Sequence, residues 1–489
     1  MGLNTLDLVV LVFYLAGVTL FGLRFRSGQG TVKGYFLADH AVPWWAISLS
    51  IVAAETSTLT VISVPGLAYD NNFGFLQLVI GYLVGRIVVS FVLIPQYFRG
   101  ELVTAYQLME RRFGNRLRTL TAGIFLVTRA AAEGVRVFAV AIVVRVAMGG
   151  VLVKMSDFER DLASIAIVSV LTLTYTFRGG LKAAIWTDVI QQTVYVVGTL
   201  LGVATILHLT PGGWTAIHQV ASSAGKFHVF DFSWNLTTTY TFWSGVIGGT
   251  FLTTASHGTD QLIVQRLLSA RSEGQAKTAL LVSGVVVLFQ FSLFLFIGAM
   301  LFVFYKLFPP HFAFTRTDTV YPVFIVSRMP HGISGLLIAA ILAAAMSNLS
   351  AALNSLSSTT IVDFYMCLRP QSNEERRLLL SRFAMAGWAL VLFALALLSR
   401  HGGRVIEMGL TIASVAYGAL LGVFLLGVLT RRANEAGAMI GMVCGFAFNL
   451  YLWLNTSVAF TWYVAFGSLV TFAVGFAASR PVRLDAVHP

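Results

Sequence analysis

Long apolar segments, separated by short polar connections, alternate along almost the whole chain. Each is close to the ~20 residues that an α-helix needs to cross a bilayer. About thirteen such segments are present, with approximate limits 6–23, 44–66, 74–98, 118–148, 161–177, 184–208, 241–265, 279–305, 332–362, 383–399, 406–429, 436–454 and 459–478. The pattern predicts an all-α polytopic membrane protein that forms a single transmembrane domain over residues 1–489.

Composition supports a membrane protein, because hydrophobic residues make up 57% of the chain and charged residues only 11%, against ~25% charged in soluble proteins. The net charge of +12 comes from Lys and Arg that crowd alternate loops. Such loops mark the cytoplasmic side. We therefore expect a multi-pass protein of the cell membrane, in bacteria the inner membrane, with its N-terminus outside and its C-terminus in the cytoplasm. Topology explains the basic excess, so no nucleic-acid partner is expected, and no obligatory protein partner is evident.

Two of the apolar segments are interrupted by polar residues. The second contains Glu55 and hydroxyl residues at 56–60, and the seventh contains a polar stretch at 253–260. Polar residues at membrane depth usually line a cavity. Breaks at matching places five spans apart predict a five-plus-five inverted repeat with broken core helices one and six. The predicted parts are an extra N-terminal helix at 6–23, repeats at 44–208 and 241–429, and two C-terminal helices at 436–478.

The segment predicted as core helix eight carries small and polar residues where a lipid-facing helix would carry large apolar ones. Its sequence is AAILAAAMSNLSAALNSLSS at Ala339–Ser358. At helical spacing, Ser347, Asn348 and Ser350 lie on adjoining faces, beside alanines that allow close backbone approach. Hydroxyl, amide and carbonyl oxygens can replace the hydration shell of a small hard cation such as sodium. The same stripe could instead only hydrogen-bond neighbouring helices.

Five sequence motifs, each weak alone, are highly specific together. They are YFLADHAVPWWA at Tyr35–Ala46, YTFRGGLKAAIWTDVIQ at Tyr175–Gln191, QLIVQR at Gln261–Arg266, AAAMSNLSAALNS at Ala343–Ser355 and GVLTRRANEAGAMIG at Gly427–Gly441. With them the chain resembles the sodium/solute symporter family from about residue 34 to 475. The resemblance implies the LeuT-type fold and solute uptake driven by sodium.

The resemblance also implies a sodium site between core helices one and eight, with Na⁺ as the bound ion. The matching positions, which offer backbone carbonyls and side-chain oxygens, are Ala53, Thr56, Ala344, Ser347 and Asn348. Asn348 stands where family members commonly have Ser or Thr, but its amide oxygen can still coordinate sodium.

Some members, including sialic acid symporters, hold a second sodium between core helices five and eight. The matching positions with side-chain oxygens are Asp188, Ser347 and Ser350, whereas Ala351 offers no ligand. Asp188 has an alternative interpretation, because a carboxylate near a helix start is favoured by the positive end of the helix dipole.

Substrate pockets of the family lie between core helices one, two, three, six and ten. The candidate substrate-binding positions are Glu55, Ser57, Thr60, Phe75, Arg136, Asp260, Gln261 and Tyr417. Tyr417 could stack on a sugar ring or close the outer vestibule, although a membrane aromatic is often ordinary packing. A lysine that galactose carriers use on core helix seven is absent, which weakens a simple hexose assignment.

The charges at this pocket leave two substrate classes open. Arg129, Glu133 and Arg136 can meet on one helix face, either as a self-neutralising cluster or with one Arg holding a carboxylate. If Glu55 pairs with Arg136, a neutral sugar, polyol or related compound fits best. If Glu55 faces Arg86 instead, an Arg is free for a sialic acid or monocarboxylate. We prefer the neutral substrate, because the pocket is rich in hydroxyl groups.

The sequence therefore predicts a sodium-coupled secondary active symporter that imports a small polar solute by alternating access. Its partners are the solute, sodium and the lipid bilayer. An enzyme is not expected, since the chain contains no HExxH or GxSxG motif. A channel would require a continuous polar lining, whereas paired helix breaks favour a carrier. A membrane solute sensor that does not transport is the remaining alternative.

Overall fold

The computed structural model describes residues 2–23, 41–99, 105–150, 154–175, 181–310, 314–369 and 371–479. Throughout these ranges the regular structure is helical, apart from an isolated β-bridge between Val42 and Ala270. Parts of the motifs at 35–46 and 175–191, and of the basic loops and C-terminus used to predict the topology, lie outside the described residues.

Helices occupy each of the predicted apolar segments, so the all-α fold is confirmed. Those up to the end of the first predicted repeat are α1 Thr5–Leu23, α2 Trp44–Glu55, α3 Thr58–Asp70, α4 Leu76–Phe98 (with a π-helical turn at Val89–Leu93), α5 Ala105–Phe113, α6 Asn115–Ala147, α7 Asp157–Tyr175 and α8 Leu181–Leu209.

The remaining helices begin with a short one in the long polar connection. They are α9 Gly213–Ser223, α10 Gly249–Gly258 (after a π-helical turn at Ser244–Gly248), α11 Gln261–Leu268, α12 Glu273–Leu307, α13 Val320–Arg328, α14 Ile333–Thr359, α15 Glu374–Ser399, α16 Val405–Leu429, α17 Glu435–Asn455 and α18 Tyr463–Ala478. The short helices α5, α9 and α13 belong to connections and not to the predicted spans.

Eight helices are long and apolar enough to cross a membrane, or nine if α2 and α3 count as one bent span. This count covers the described residues and rests on length and composition only. The long helix α6 is not among them, and it carries Arg129, Glu133 and Arg136 near its middle. The charges that make α6 less apolar are therefore those expected at the substrate pocket.

The first predicted break separates α2 from α3, whose axes differ by 63°. α2 ends at Glu55, and the Thr56 amide still donates a hydrogen bond to the Val52 carbonyl. The Thr60 hydroxyl donates to the Glu55 carbonyl at 3.0 Å. A side chain from α3 therefore replaces one of the backbone hydrogen bonds that the break removes.

The second predicted break lies between α10 and α11. α10 ends at Gly258, and Asp260 is the N-cap of α11, since its carboxylate accepts a hydrogen bond from the Leu262 amide at 2.9 Å. The Gly258 carbonyl accepts one from the Tyr97 hydroxyl of α4. Backbone groups freed by the break thus find partners inside the protein, as membrane depth requires. Broken core helices one and six are confirmed.

Glycines bring the broken helices very close to their neighbours. A Cβ atom at Gly298 of α12 would lie 2.1 Å from the Pro65 carbonyl oxygen in α3. A Cβ atom at Gly81 of α4 would lie 2.3 Å from the Gly245 carbonyl oxygen, just before α10. Only glycine fits at such distances, so the backbones meet without side chains between them. This packing fixes where the two breaks lie relative to α4 and α12.

The buried carboxylate of Asp7 attaches α1 to α14. Its Oδ1 accepts hydrogen bonds from the Gly332 amide at 2.6 Å, the Ser334 hydroxyl at 2.8 Å and the Gly335 amide at 3.2 Å. These groups lie at the N-terminal end of α14, where free amides and the helix dipole favour a negative charge. Asp7 therefore caps α14 from another helix.

We expect Asp7→Ala to lower the thermal unfolding temperature of the purified protein, because loss of a capping side chain costs about 0.5–2 kcal/mol. Asp7→Asn should keep part of the stabilisation by the cap, since its amide oxygen still accepts hydrogen bonds. Glu375→Ala, at an exposed position, is the control. Equal unfolding temperatures for the three variants would contradict the capping role.

Candidate functional site

A cavity of about 200 Å³ lies between the two helix breaks, α6 and α16. Along α16 it extends from Ile406 to Leu420, about 21 Å at 1.5 Å per residue. Its other end reaches Tyr106 of α5. All of the candidate substrate-binding residues except Gln261 line it, namely Glu55, Ser57, Thr60, Phe75, Arg136, Asp260 and Tyr417.

Two of the candidate substrate residues have structural partners of their own. Gln261 does not line the cavity, and its side-chain oxygen accepts a hydrogen bond from the Ala105 amide at 2.7 Å, at the start of α5. Phe75 is only 2% exposed and stacks on Phe291, with ring centroids 5.4 Å apart. Gln261 thus connects α11 to α5, and Phe75 forms part of an aromatic wall.

The connection between α9 and α10 covers the end of the cavity near Phe75. Tyr240 of this connection packs edge-on against Phe75, with centroids 5.4 Å apart, and its hydroxyl donates to Glu407 Oε1 at 3.0 Å. Arg404, just before α16, forms a 2.5 Å ion pair with Asp70 at the end of α3. These contacts join the connection, α3 and α16 on the predicted outer side.

Glu55, at the first break, forms an ion pair with Arg86 of α4. Arg86 is fully buried and also donates to the Ser283 hydroxyl at 3.2 Å. The His257 ring nitrogen lies 3.2 Å from the same guanidinium. The preferred pairing of Glu55 with Arg136 is therefore wrong, because α4 and not α6 presents its guanidinium to this carboxylate.

Arg136 shares its carboxylate partner with Arg129. Glu133 Oε1 accepts a hydrogen bond from Arg136 at 2.8 Å and forms an ion pair with Arg129 at 3.0 Å. Arg129 lies 3.5 Å from Asp260 Oδ2, which accepts a hydrogen bond from the Tyr417 hydroxyl at 2.8 Å. Two arginines thus face two carboxylates. Both arginines line the cavity, and the Arg136 side chain is the more accessible, 31% exposed against 9% for Arg129.

A side recess of about 20 Å³ opens beside this cluster and has room for about one water molecule. Ser57, Glu133, Arg136 and Asn348 line both the recess and the main cavity. Glu133 Oε2 is buried and has no hydrogen-bond partner in the described part of the chain. The recess therefore combines a guanidinium, a hydroxyl, an amide and an unused carboxylate oxygen in one small space.

The predicted sodium ligands come from two parts of the fold, and Asn348 is the one that lines the recess and the main cavity. They lie on α2, at the first break and on α14, namely Ala53, Thr56, Ala344, Ser347 and Asn348. The Thr56 hydroxyl donates to Gln290 at 3.0 Å, and the lone pairs of its oxygen remain available to an ion, as does its backbone carbonyl. Within the described ranges, the side chains of Ser347 and Asn348 make no hydrogen bond. Neutral oxygens without competing partners fit a sodium ion.

Asp188 is an interior residue of α8 and not a cap at its start. Its Oδ2 accepts hydrogen bonds from the Ser50 hydroxyl at 2.6 Å and from Arg266 at 3.1 Å. Arg266 also donates to the Ser50 hydroxyl at 2.8 Å. The carboxylate therefore joins α8 to α2 and α11 through a buried ion pair, which the interpretation as a helix cap did not include.

Known proteins resemble this chain over nearly its full length. The profile described as "Sodium:solute symporter family" matches residues 35–445. The sodium/sialic acid symporter SiaT of Proteus mirabilis is 30% identical over 499 residues, which cover 98% of this chain and 97% of SiaT. The sodium/sialic acid symporter NanT of Aliivibrio fischeri is 29% identical over 483 residues, covering 97% of this chain and 92% of NanT.

A solved structure shows that the likeness extends to the fold. It is a Na⁺-coupled sialic acid symporter in a substrate-bound, outward-open state, with a TM-score of 0.82 and 28% identity, and the match covers 98% of this chain and 99% of that one. The predicted LeuT-type fold and the prediction of sodium as the coupling ion are confirmed. The chain belongs to the sodium:solute symporter family.

Proposed function

We propose that this symporter imports a small organic acid together with sodium, and that Arg136 binds the carboxylate of the substrate. The observation that carries the proposal is the pairing of Glu55 with Arg86. It leaves Arg136 facing the cavity with only a shared carboxylate partner. This proposal replaces the prediction of a neutral sugar or polyol, because that prediction assumed an ion pair between Glu55 and Arg136.

The part of the main cavity beside Arg136 suits a polar acid for chemical reasons. A guanidinium binds a carboxylate through two parallel N–H bonds, which fixes the orientation of the ligand. The Ser57 hydroxyl and the Asn348 amide line the same cavity and can form hydrogen bonds with hydroxyl or amide groups of the substrate. Sialic acids carry a carboxylate together with such groups, and the relatives with this name support that class. Monocarboxylates are the simpler members of the same proposal.

Coupling between substrate and ion follows from the place of Asn348. This residue lines the main cavity and is also a proposed sodium ligand, with Ala53, Thr56, Ala344 and Ser347. A sodium ion held there would lie beside the bound carboxylate, and opposite charges at short distance attract strongly in a low-dielectric site. Each would therefore raise the affinity for the other. A second sodium at Asp188, Ser347 and Ser350 would require Arg266 to release Asp188.

The proposal is tested in proteoliposomes with an inward sodium gradient. We expect uptake of a labelled sialic acid or monocarboxylate, and competition by the free acid but not by its methyl ester, in which the carboxylate charge is removed. A hexose and a polyol are the neutral comparisons. Sodium-driven uptake of the hexose, or equal competition by acid and ester, would contradict the proposal. Counterflow of unlabelled substrate would separate transport from a sensor that only binds.

We expect Ser347→Ala to raise the sodium concentration needed for half-maximal uptake, because it removes one of few neutral oxygens from the ion. Ser399→Ala, which removes a hydroxyl that donates to the Leu395 carbonyl within α15, is the control. The measurement is initial uptake against sodium concentration at constant ionic strength. An unchanged sodium dependence in Ser347→Ala would show that Ser347 is not a sodium ligand.

A further inference from the structure

An elongated apolar groove runs along the outer surface of the helix bundle, apart from the substrate cavity. Its volume is about 690 Å³, within the ~300–1,000 Å³ of typical small-molecule sites. One wall is Phe364, in the π-helical turn after α14, and the other is formed by Met439 and Phe446 of α17. The floor is the face of α6 between Arg116 and Val127.

The length of the groove matches one leaflet of a bilayer. Arg116 and Val127 are 11 residues apart in α6, about 16 Å at 1.5 Å per residue. Half of the hydrocarbon core of a bilayer measures ~15 Å. Arg116 lies at the start of α6, next to the loop that the charge pattern places in the cytoplasm. The groove therefore runs from the membrane surface to about the mid-plane, the depth that a single acyl chain occupies.

The polar end of the groove is basic. The Arg116 guanidinium is exposed and makes no hydrogen bond or ion pair with any described residue. Arg112 donates to the Thr430 carbonyl at 3.0 Å. Two further arginines, Arg431 and Arg432, follow Thr430 in the sequence. The nearby carboxylate of Glu435 accepts a hydrogen bond from the Arg116 amide at 2.8 Å and caps α6. Cations at this end thus outnumber the acid beside them.

We propose that the groove binds an anionic phospholipid, with one acyl chain between α6 and α17 and the phosphate on Arg116. Basic pockets between transmembrane helices at the membrane surface recognise such head groups. A second copy of the chain would also cover apolar surface. The exposed cation at one end and the single-leaflet length favour a lipid over a protein surface.

The test is native mass spectrometry of the full-length protein in detergent, titrated with phosphatidylglycerol or with phosphatidylcholine of the same acyl chains. We expect phosphatidylglycerol to bind more tightly to the unsubstituted protein. Arg116→Gln should weaken it about fivefold, since a basic residue near anionic lipid contributes ~1 kcal/mol. Gly123→Leu should block the groove, because a Cβ atom there meets only a Phe364 ring carbon at 3.8 Å and the rest of the side chain extends into the groove.

Two matched variants serve as controls. Arg376→Gln removes an exposed arginine that does not line the groove, and Gly387→Leu adds a side chain at a glycine with no atom within 4 Å of its Cβ position. Neither should alter lipid binding. Equal binding of the two lipids, or equal weakening by Arg376→Gln and Arg116→Gln, would overturn the proposal. A dimer that Gly123→Leu dissociates would assign the groove to a second copy. If Gly123→Leu does not fold, the comparison of Arg116→Gln with Arg376→Gln still tests whether the groove binds an anionic lipid.

Discussion

Arg136→Gln is expected to raise the KM for a carboxylate substrate about 10- to 150-fold, because a hydrogen bond to a charged group contributes ~1.5–3 kcal/mol. The variant should still fold, since Glu133 keeps its 3.0 Å bond to Arg129. Arg136→Lys should be intermediate, because an ammonium group is a point charge and lacks the planar fork of a guanidinium. The measurement is initial sodium-driven uptake against substrate concentration.

Arg328→Gln provides the control for this experiment, because it removes an exposed arginine at the end of α13, away from the cavity lining. Its KM should stay within error of the unsubstituted protein. The substrate without its charge, as a methyl ester, should compete equally poorly with all variants. An unchanged KM in Arg136→Gln would contradict the assignment of this residue to the carboxylate.

Removal of either partner of the Glu55–Arg86 pair should have the largest effect on folding. Arg86 is fully buried, so Glu55→Gln alone leaves an uncompensated charge inside the bundle. Such a change costs ~3–5 kcal/mol, whereas removal of both charges can be nearly neutral. We expect low yields and low unfolding temperatures for Glu55→Gln and Arg86→Gln, and partial recovery in the double variant.

A double-mutant cycle distinguishes this pair from the pairing that the sequence favoured. Glu55→Gln combined with Arg136→Gln should give additive losses, because these side chains have different partners. The partly exposed pair Glu273–Lys277, with 2.6 Å between its charged atoms, is the control and should show coupling below about 1 kcal/mol. Additive losses for Glu55 and Arg86 would mean that their contact does not stabilise the fold.

The two helix breaks could be predicted from the sequence, because the residues that cause them are local. Hydroxyl groups and Glu55 in an apolar segment weaken a helix and require a cavity or a partner nearby. The N-cap character of Asp260 is equally local, as this carboxylate precedes α11 directly. The elements that carry the site could therefore be predicted, and all of the predicted substrate-binding residues except Gln261 line the cavity.

Partners across helices were harder to predict. The sequence offered Arg86 and Arg136 as alternatives for Glu55, and only the rotation of α4 and α6 about their axes decides between them. Asp7 and Gln261 cap helices that are distant in sequence, through the amides of Gly332 and Ala105. No periodicity encodes such contacts, because they depend on where separate helices end in three dimensions.

With the proposed acid as substrate, the contact between Asp188 and Arg266 would limit how strongly this symporter can concentrate it. While Arg266 neutralises Asp188, that carboxylate requires no second cation, and the proposed single sodium ion would accompany one monovalent acid. Such a pair carries no net charge across the membrane. The ratio of internal to external substrate then cannot exceed the ratio of external to internal sodium, whatever the membrane voltage. If a second sodium ion replaced Arg266 as the partner of Asp188, each transport cycle would move one net charge across the membrane. Each 100 mV of membrane potential would then add ~2.3 kcal/mol to the driving force for uptake, which corresponds to about 50-fold higher accumulation of the substrate.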